Sequence, residues 1–301
     1  MSIDNARGEA KTIAAAPRVA HVPQHVSDYY RIKTASIMKK YGPGPRIHFH
    51  VGLLDEPPAA SVRDPLHHRR TIVDAQESLM RLAAESWDAR QCLTGEVLDV
   101  GCGLGGGALF WAQEYQSNVT AVTIAAEHIP LISELARQAG VAHRVHPVLA
   151  DACAFQTERR FDAAVAFEAS CYLPRHAWFR RLKDLLRPGG VVCVEEPFAD
   201  GDDYRVMFDR YWRTHIGSVQ EYADAAVASG FTLEQDIDLT DRTAEFWRHS
   251  VAWSESVLAT EDIDDEERQR LITSTQQHEY FYEAWRQHGI EIRLLKFRLQ
   301  G

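Results

Sequence analysis

The sequence predicts an α/β protein in which an open parallel sheet forms the core, with helices before it and an aromatic-rich helical segment after it. Three observations carry this. Apolar runs of strand length recur at Glu96–Val100, Val119–Ile124, Arg144–Leu149, Phe161–Phe167 and Val191–Glu195. Helix-period segments separate most of them, the pattern of parallel strands joined by right-handed crossovers. The first run passes directly into a glycine-rich turn, Gly101-Cys102-Gly103-Leu104-Gly105-Gly106-Gly107. Glycine there lets the backbone approach a bound nucleoside, because no side chain intervenes.

Each element has its own justification. Residues up to about Gln24 read as mobile. A helix follows from Ser27, with Tyr29, Tyr30, Ile32 and Ile37 along one side, and Tyr41-Gly42-Pro43-Gly44-Pro45 stops it. Ile47-His48-Phe49-His50-Val51-Gly52 and a proline-containing loop lead to a second helix over 71–87, with Leu79, Leu82, Ala83 and Trp87 at helical spacing. Within the alternating core, helices are expected near 107–116, near 127–139, and through Phe179, Leu182, Leu185 and Leu186 to a stop at Pro188-Gly189-Gly190. Beyond Pro197, Tyr204, Phe208, Tyr211 and Trp212 share a helix face. Glu221–Ser229 forms a helix ending at Gly230, and 290–299 forms a last strand. The expected division is a helical lid over 1–90, a nucleoside-binding core over 91–200, and cap helices with the final strands over 201–301.

Composition excludes several classes. At 301 residues, 45% hydrophobic and 25% charged, the chain has the make-up of a soluble globular protein. Its net charge of −10 argues against general nucleic-acid binding, which needs a basic face. Cys92, Cys102, Cys153, Cys171 and Cys193 are dispersed without a C-x-x-C pair, as expected of reduced cytoplasmic thiols and not of a disulfide framework or structural metal site. The first twenty residues lack the apolar block of a signal peptide, and no run is long enough for a membrane span.

Gly101-x-Gly103-x-x-Gly106 also fits the dinucleotide fingerprint. However, the strand where that fingerprint wants a ribose-binding acid ends in Thr123. Glu96-Val97-Leu98-Asp99-Val100-Gly101-Cys102-Gly103 instead resembles motif I of class I S-adenosylmethionine methyltransferases, which implies a Rossmann-like sheet and that cofactor. The resemblance assigns cofactor contacts to Asp99, Gly101, Gly103, Gly105, Thr123, His128, Asp151, Ala152 and Phe167. Asp151 would accept the adenine amine, with Ala152 and Phe155 as apolar cover. Thr123 in place of an acid is similar to the sterol and cyclopropane-forming branch. His128 stands where that branch has a glutamine, and a histidine can still donate to a ribose oxygen.

Phe167-Glu168-Ala169-Ser170-Cys171-Tyr172-Leu173-Pro174 resembles the segment after strand four of sterol C-methyltransferases, and geranyl diphosphate C-methyltransferases carry a comparable acid there. The likeness is good over about 95–200. It implies Glu168 as catalytic base. The aromatic richness of 204–212 and 246–285 fits a cation cage, with Tyr211 and Trp212 its leading candidates, and Ile47-His48-Phe49-His50-Val51-Gly52 resembles the aromatic-histidine-glycine lid segment of the same enzymes, where His48 would orient a water or a substrate oxygen. The chemistry requires such groups. An alkene attacks a sulfonium methyl only when held in line, and transfer leaves a tertiary carbocation. A carboxylate both stabilises that cation and removes a proton, and aromatic faces add about 2 kcal/mol when desolvated.

Arg46, His48, His50, Arg63, His67, His68, Arg69 and Arg70 concentrate positive charge in an acidic chain. A diphosphate, with magnesium as a bridge, would use such donors. The expected substrate is therefore a prenyl diphosphate of the geranyl type, in secondary metabolism. The alternatives are a sterol or prenylated natural product, an O- or N-methylated small molecule, and a non-catalytic nucleoside-binding module. Whether the chain forms a homo-oligomer is open.

Overall fold

The computed structural model describes residues 24–301; the stretch expected to be mobile, and the one read as lacking a signal peptide, lie outside them. Seven strands form one sheet: β1 Glu96–Val100, β2 Asn118–Thr123, β3 Val145–Leu149, β4 Phe161–Phe167, β5 Leu186–Phe198, β6 Phe231–Asp238 and β7 Glu291–Leu299. Their order is β3-β2-β1-β4-β5-β7-β6. The first five are parallel, and β7 runs antiparallel between β5 and β6. Strand order therefore reverses between β1 and β4, the place where open α/β sheets bind ligands beyond the carboxyl ends of their strands.

Helices α1 (Gln24–Tyr41), α2 (Pro65–Ser86) and α3 (Ala89–Cys92) precede the sheet. Inside it come α4 (Gly106–Glu114), α5 (His128–Gln138) and α6 (Arg175–Leu185). The last part carries α7 (Arg205–Trp212), α8 (Val219–Val227), α9 (Thr240–Thr243), α10 (Glu245–Thr260) and α11 (Asp265–Arg286). Two apolar layers cover the faces of the sheet. Val97, Ala163, Val191 and Cys193 join α2, α4, α10 and α11 on one side, while Leu98, Ala164, Val192 and Val194 join α6 and α8 on the other. The alternation along each strand follows from its period of two.

Several boundaries differ from expectation for local reasons. Helix α2 begins six residues early, because Asp64 accepts from the Leu66 amide at 2.9 Å and Pro65 occupies the first helical position. Helix α1 begins before Ser27. Strand β5 runs on through Glu195 and Glu196 to Phe198, both acids fully buried. Strand β6 was not expected, because its outward residues Thr232, Glu234, Asp236 and Asp238 make it look polar. They face solvent, and Arg293 and Arg298 of β7 pair with Asp236 and Glu234. The Ile47–Gly52 segment forms no strand. All five cysteines are free, and no described helix is long and apolar enough to cross a membrane.

Candidate active site

A cleft of about 980 Å³, mouth included, opens at the carboxyl ends of β1, β2 and β4. Its floor is the glycine turn. Gly101 and Gly103 take positive φ values of 70° and 52°, in the left-handed region that glycine enters without strain. A Cβ on Gly101 would sit 2.5 Å from that of Ala169, whereas one on Gly103 would meet nothing within 4 Å and project into open space. Asp99 lies beneath the turn, 5% exposed, and its Oδ2 has no hydrogen-bond partner among the described residues. Burial pushes its carboxyl up to about 7. A buried acid without a partner beside a cleft suits a cationic ligand group.

The remaining walls divide by chemistry. Thr123 and His128 line one side; His128 Nε2 lies 2.9 Å from Thr34 Oγ1 of α1, and burial lowers its pKa. Ile124, Ala150, Ala152 and Leu173 supply an apolar slot, while Tyr30, Phe49 and Tyr172 close the cleft from the α1 side. This donor set fits S-adenosylmethionine: an acid for the ammonium, a hydroxyl and an imidazole for the ribose, and an apolar slot for the base.

Glu168 stands at the end of β4 with φ 43°, a conformation that costs a non-glycine residue about 1–3 kcal/mol. Its position is fixed from three directions. Its amide donates to the Glu195 carbonyl at 2.8 Å, and its Oε1 accepts from the Val51 amide at 2.7 Å. The turn after it is clamped by Glu196, whose Oε1 accepts from the Ala169 and Ser170 amides and from Ser170 Oγ. Burial lifts Glu168 to about 8 against the Val51 hydrogen bond, with Glu196 raising it further. Burial also lifts Glu196 to about 7 despite its donors.

Glu168 also lines a second, adjoining chamber of about 470 Å³. The other walls there include Tyr41, Phe49, Tyr172, Phe208, Trp212, Phe246 and Trp247. Tyr30, Phe49, His50, Glu168 and Tyr172 are common to cleft and chamber, so the carboxyl stands at their junction. Tyr30 donates to the Tyr172 hydroxyl and Tyr172 to the Trp212 carbonyl, each at 3.0 Å, which fixes these rings.

The structure gathers most of the residues anticipated for the site and displaces some. Asp99, Gly101, Gly103, Thr123, His128, Ala152, Phe167, Glu168 and His48 line the cleft, and Trp212 the chamber. Gly105 instead caps α4 and faces Ile132. The Asp151 carboxylate accepts from the Cys153 amide at 2.8 Å, and its neighbours Ala150 and Ala152 form the wall. Tyr211 backs Trp212, edge-on at 4.7 Å, and does not line the chamber. His48 is held at 2.9 Å by Glu77, which Arg46 also binds, so it anchors the segment and is not aimed at the chamber.

His50 takes the place expected of His48. Its Nδ1 lies 2.6 Å from the Val51 carbonyl and so carries the proton, while Nε2 has no partner among the described residues. Burial and the nearby His48 lower it to about 3. The expected basic concentration does not converge. Arg46 is engaged by Glu77 and Glu114, Arg69 by the Lys39 carbonyl and His68 by the Val62 carbonyl, and Arg63 borders a separate groove beside α10 and α11. Sequence reasoning missed Glu195 and Glu196 as supports of Glu168. Their signal was two adjacent acids inside an otherwise apolar strand.

Residues 97–190 match the family described as "Methyltransferase domain". Over 192 residues, 62% of this chain and 53% of the relative, the sequence is 26% identical to chloroplastic tocopherol O-methyltransferase of Arabidopsis thaliana. Over 165 residues, 50% of this chain and 48% of the relative, it is 30% identical to cycloartenol-C-24-methyltransferase 1 of Oryza sativa subsp. japonica. The chain thus spans about half the length of these curated relatives. Among solved structures, geranyl diphosphate C-methyltransferase from Streptomyces coelicolor A3(2) superposes with a TM-score of 0.70 at 16% identity, over 91% of this chain and 96% of that one. That likeness shows the fold alone. The glycine turn, the seven-strand order and the matched segment together make residues 97–190 a methyltransferase domain within a Rossmann-like methyltransferase fold.

Proposed function

We propose that the protein is an S-adenosylmethionine-dependent C-methyltransferase acting on an alkene carbon of an isoprenoid, with Glu168 as the base. The observation that carries this is the position of Glu168, shared between the cofactor cleft and a chamber walled by aromatic rings. An O- or N-methyltransferase needs no such chamber, because its nucleophile is a heteroatom. The similarity to a relative named for methylating C-24 of cycloartenol supports the reading; the similarity to a tocopherol O-methyltransferase shows that the fold alone does not choose it.

Asp99, the Gly101 and Gly103 backbone, Thr123, His128 and Ala152 would hold the cofactor, which when bound supplies an electrophilic methyl group on a positive sulfur. This chain's residues do the rest. The rings of Phe49, Tyr172 and Trp212 would press the alkene toward the cleft and exclude water. Once the alkene carbon has gained its methyl group, the adjacent carbon is cationic and the aromatic faces stabilise it. Glu168 then takes a proton from a neighbouring carbon, and the released C–H pair re-forms a double bond. The product is the substrate plus one CH₂ and the proton resides on the carboxylate. Glu168 is a stronger base than His50, whose imidazole is held at about 3.

The test is a substrate panel with isotopically labelled S-adenosylmethionine: geranyl diphosphate with magnesium, a sterol, a prenylated indole, a phenol and an amine. Label on carbon of an isoprenoid alkene supports the reading. Label only on oxygen or nitrogen replaces it.

A further inference from the structure

We propose that His50 is a second base at the junction of cleft and chamber, and that the division of proton removal between His50 and Glu168 decides where the product double bond forms. This rests on the carbon-methylation reading and deepens it.

The argument begins with hydrogen-bond supply. His50 is only 7% exposed and lines both cleft and chamber, as Glu168 does. Its Nδ1 proton is spent on the Val51 carbonyl at 2.6 Å, which leaves Nε2 as an acceptor. Nε2 is buried and has no partner among the described residues. A buried acceptor without a donor is costly, and such groups are kept where a ligand or a reaction supplies the proton. Burial and His48 hold the ring neutral at working pH, so the Nε2 lone pair is always available.

Rigidity supplies the second argument. The His50 carbonyl accepts from Gln76 Nε2 at 2.7 Å, which ties the backbone to α2. The imidazole packs on Phe167, the residue before Glu168, at 5.3 Å and on His48 at 5.1 Å. Val51 then holds both bases, its amide donating to Glu168 Oε1 and its carbonyl accepting from His50. One base reaches the junction from the end of β4 and the other from the segment between α1 and α2. A single residue fixes their relative placement.

The chemistry gives two such bases different products. After methyl transfer, the tertiary cation carries C–H bonds on more than one neighbouring carbon. Proton loss from a carbocation is favourable enough that a weak base suffices, and position then chooses among those carbons. Glu168 takes a proton from one. His50 Nε2 takes a proton from another: that C–H electron pair becomes the new π bond, and the ring becomes an imidazolium. The Glu168 carboxylate, the stronger base, then accepts the imidazolium proton. Where Glu168 is replaced, water at the cleft mouth accepts it. Both routes add one CH₂ and differ only in the double-bond position.

The experiment reads those isomers. Wild type, Glu168→Gln, His50→Asn and the double variant are each incubated with S-adenosylmethionine and three probes: geranyl diphosphate with magnesium, a sterol with a side-chain alkene, and a prenylated indole. Chromatography with mass spectrometry and NMR resolves the products. Asparagine keeps a donor where Nδ1 stands and lacks Nε2, so His50→Asn should retain its melting temperature and S-adenosylhomocysteine affinity. His50→Phe, which keeps a ring without either nitrogen, carries the test if the asparagine variant unfolds. Glu168→Gln should leave a residual product enriched about tenfold or more in an isomer that is minor in wild type, and adding His50→Asn should cut that isomer by about a hundredfold. His50→Asn alone should remove it from the wild-type mixture. Carbon methylation by wild type with an isomer ratio indifferent to residue 50, or with no residual product in Glu168→Gln, would overturn the second base and leave the proposed function standing. Absence of carbon methylation with all three probes would overturn both.

Discussion

The Val51 amide donates a 2.7 Å hydrogen bond to Glu168 Oε1, joining the segment between α1 and α2 to the end of β4. A backbone donor survives every substitution at 51 except proline, which has no N–H, so the bond holds the carboxylate independently of the Val51 side chain. It also ties base placement to the segment carrying His48, Phe49 and His50, all lining the cleft. Because the bond favours the ionised form, it offsets part of the burial that lifts Glu168 to about 8.

The first prediction concerns rate against pH. The basic form of Glu168 is scarce below about 8 in the protein without cofactor and grows as pH rises. A bound positive sulfur favours the carboxylate, so the rising limb of single-turnover methylation should lie below pH 8. No separate limb should appear near 6.5 from His50, since that ring stays neutral down to about 3. A rate that falls between pH 6 and 8 in a quench-flow series would contradict the assignment.

A second prediction concerns stability. The folded pKa of Glu168 lies above its unfolded value of 4.5, so the folded state holds the extra proton between about 4.5 and 8. Its contribution is fully present below 4.5 and is lost as pH rises through 8. Relative to wild type, Glu168→Gln should therefore gain melting temperature across that window, by about 2–4 °C per kcal/mol for a chain of this size. Saturating S-adenosylmethionine should shrink the gap. A gap constant with pH in calorimetric scans would refute the linkage.

The glycine turn yields a third, paired expectation. Gly101→Ala would impose the left-handed conformation on alanine and drive its Cβ to 2.5 Å from Ala169. It should lower both melting temperature and cofactor affinity. Gly103→Ala meets no protein atom within 4 Å, so its folding penalty should be limited to conformational strain of about 1–2 kcal/mol. Its methyl would still project into the cleft and weaken binding. Thermal melts paired with S-adenosylhomocysteine titrations separate the two.

Trp212 provides a fourth. If its face stabilises the cation, Trp212→Leu should cost up to about 2 kcal/mol of barrier, roughly a thirtyfold loss of turnover. Tyr211→Phe keeps the ring that backs Trp212 and should cost less. Equal losses in the two variants, measured at saturating substrate, would return Tyr211 to the cage.

Much of this was legible because the signals were local. The β1 run into Gly101 and the β4 run into Glu168 announce a strand, a turn and a ligand edge within a dozen residues each. Strand β6 was not legible: its inward residues Phe231, Leu233, Gln235 and Ile237 are interrupted by a bulge near Gln235, and its polar partners lie far away on β7. The basic run over Arg63 to Arg70 misled because the α2 period distributes those side chains around the helix. Which of two histidines faces the chamber depended on Glu77 capturing His48 from α2, a contact spanning 29 positions.

The most direct measurement compares wild type with Glu168→Gln in two readouts on the same preparations: S-adenosylmethionine affinity by calorimetry, and product mass after incubation with geranyl diphosphate and magnesium. Wild type should yield a prenyl product one CH₂ heavier with the new methyl on carbon. The variant should still bind the cofactor, losing only the affinity that the Glu168 charge lends the positive sulfur, and should lose product formation by about a hundredfold to ten-thousandfold. A variant that methylates carbon at the wild-type rate would contradict the account.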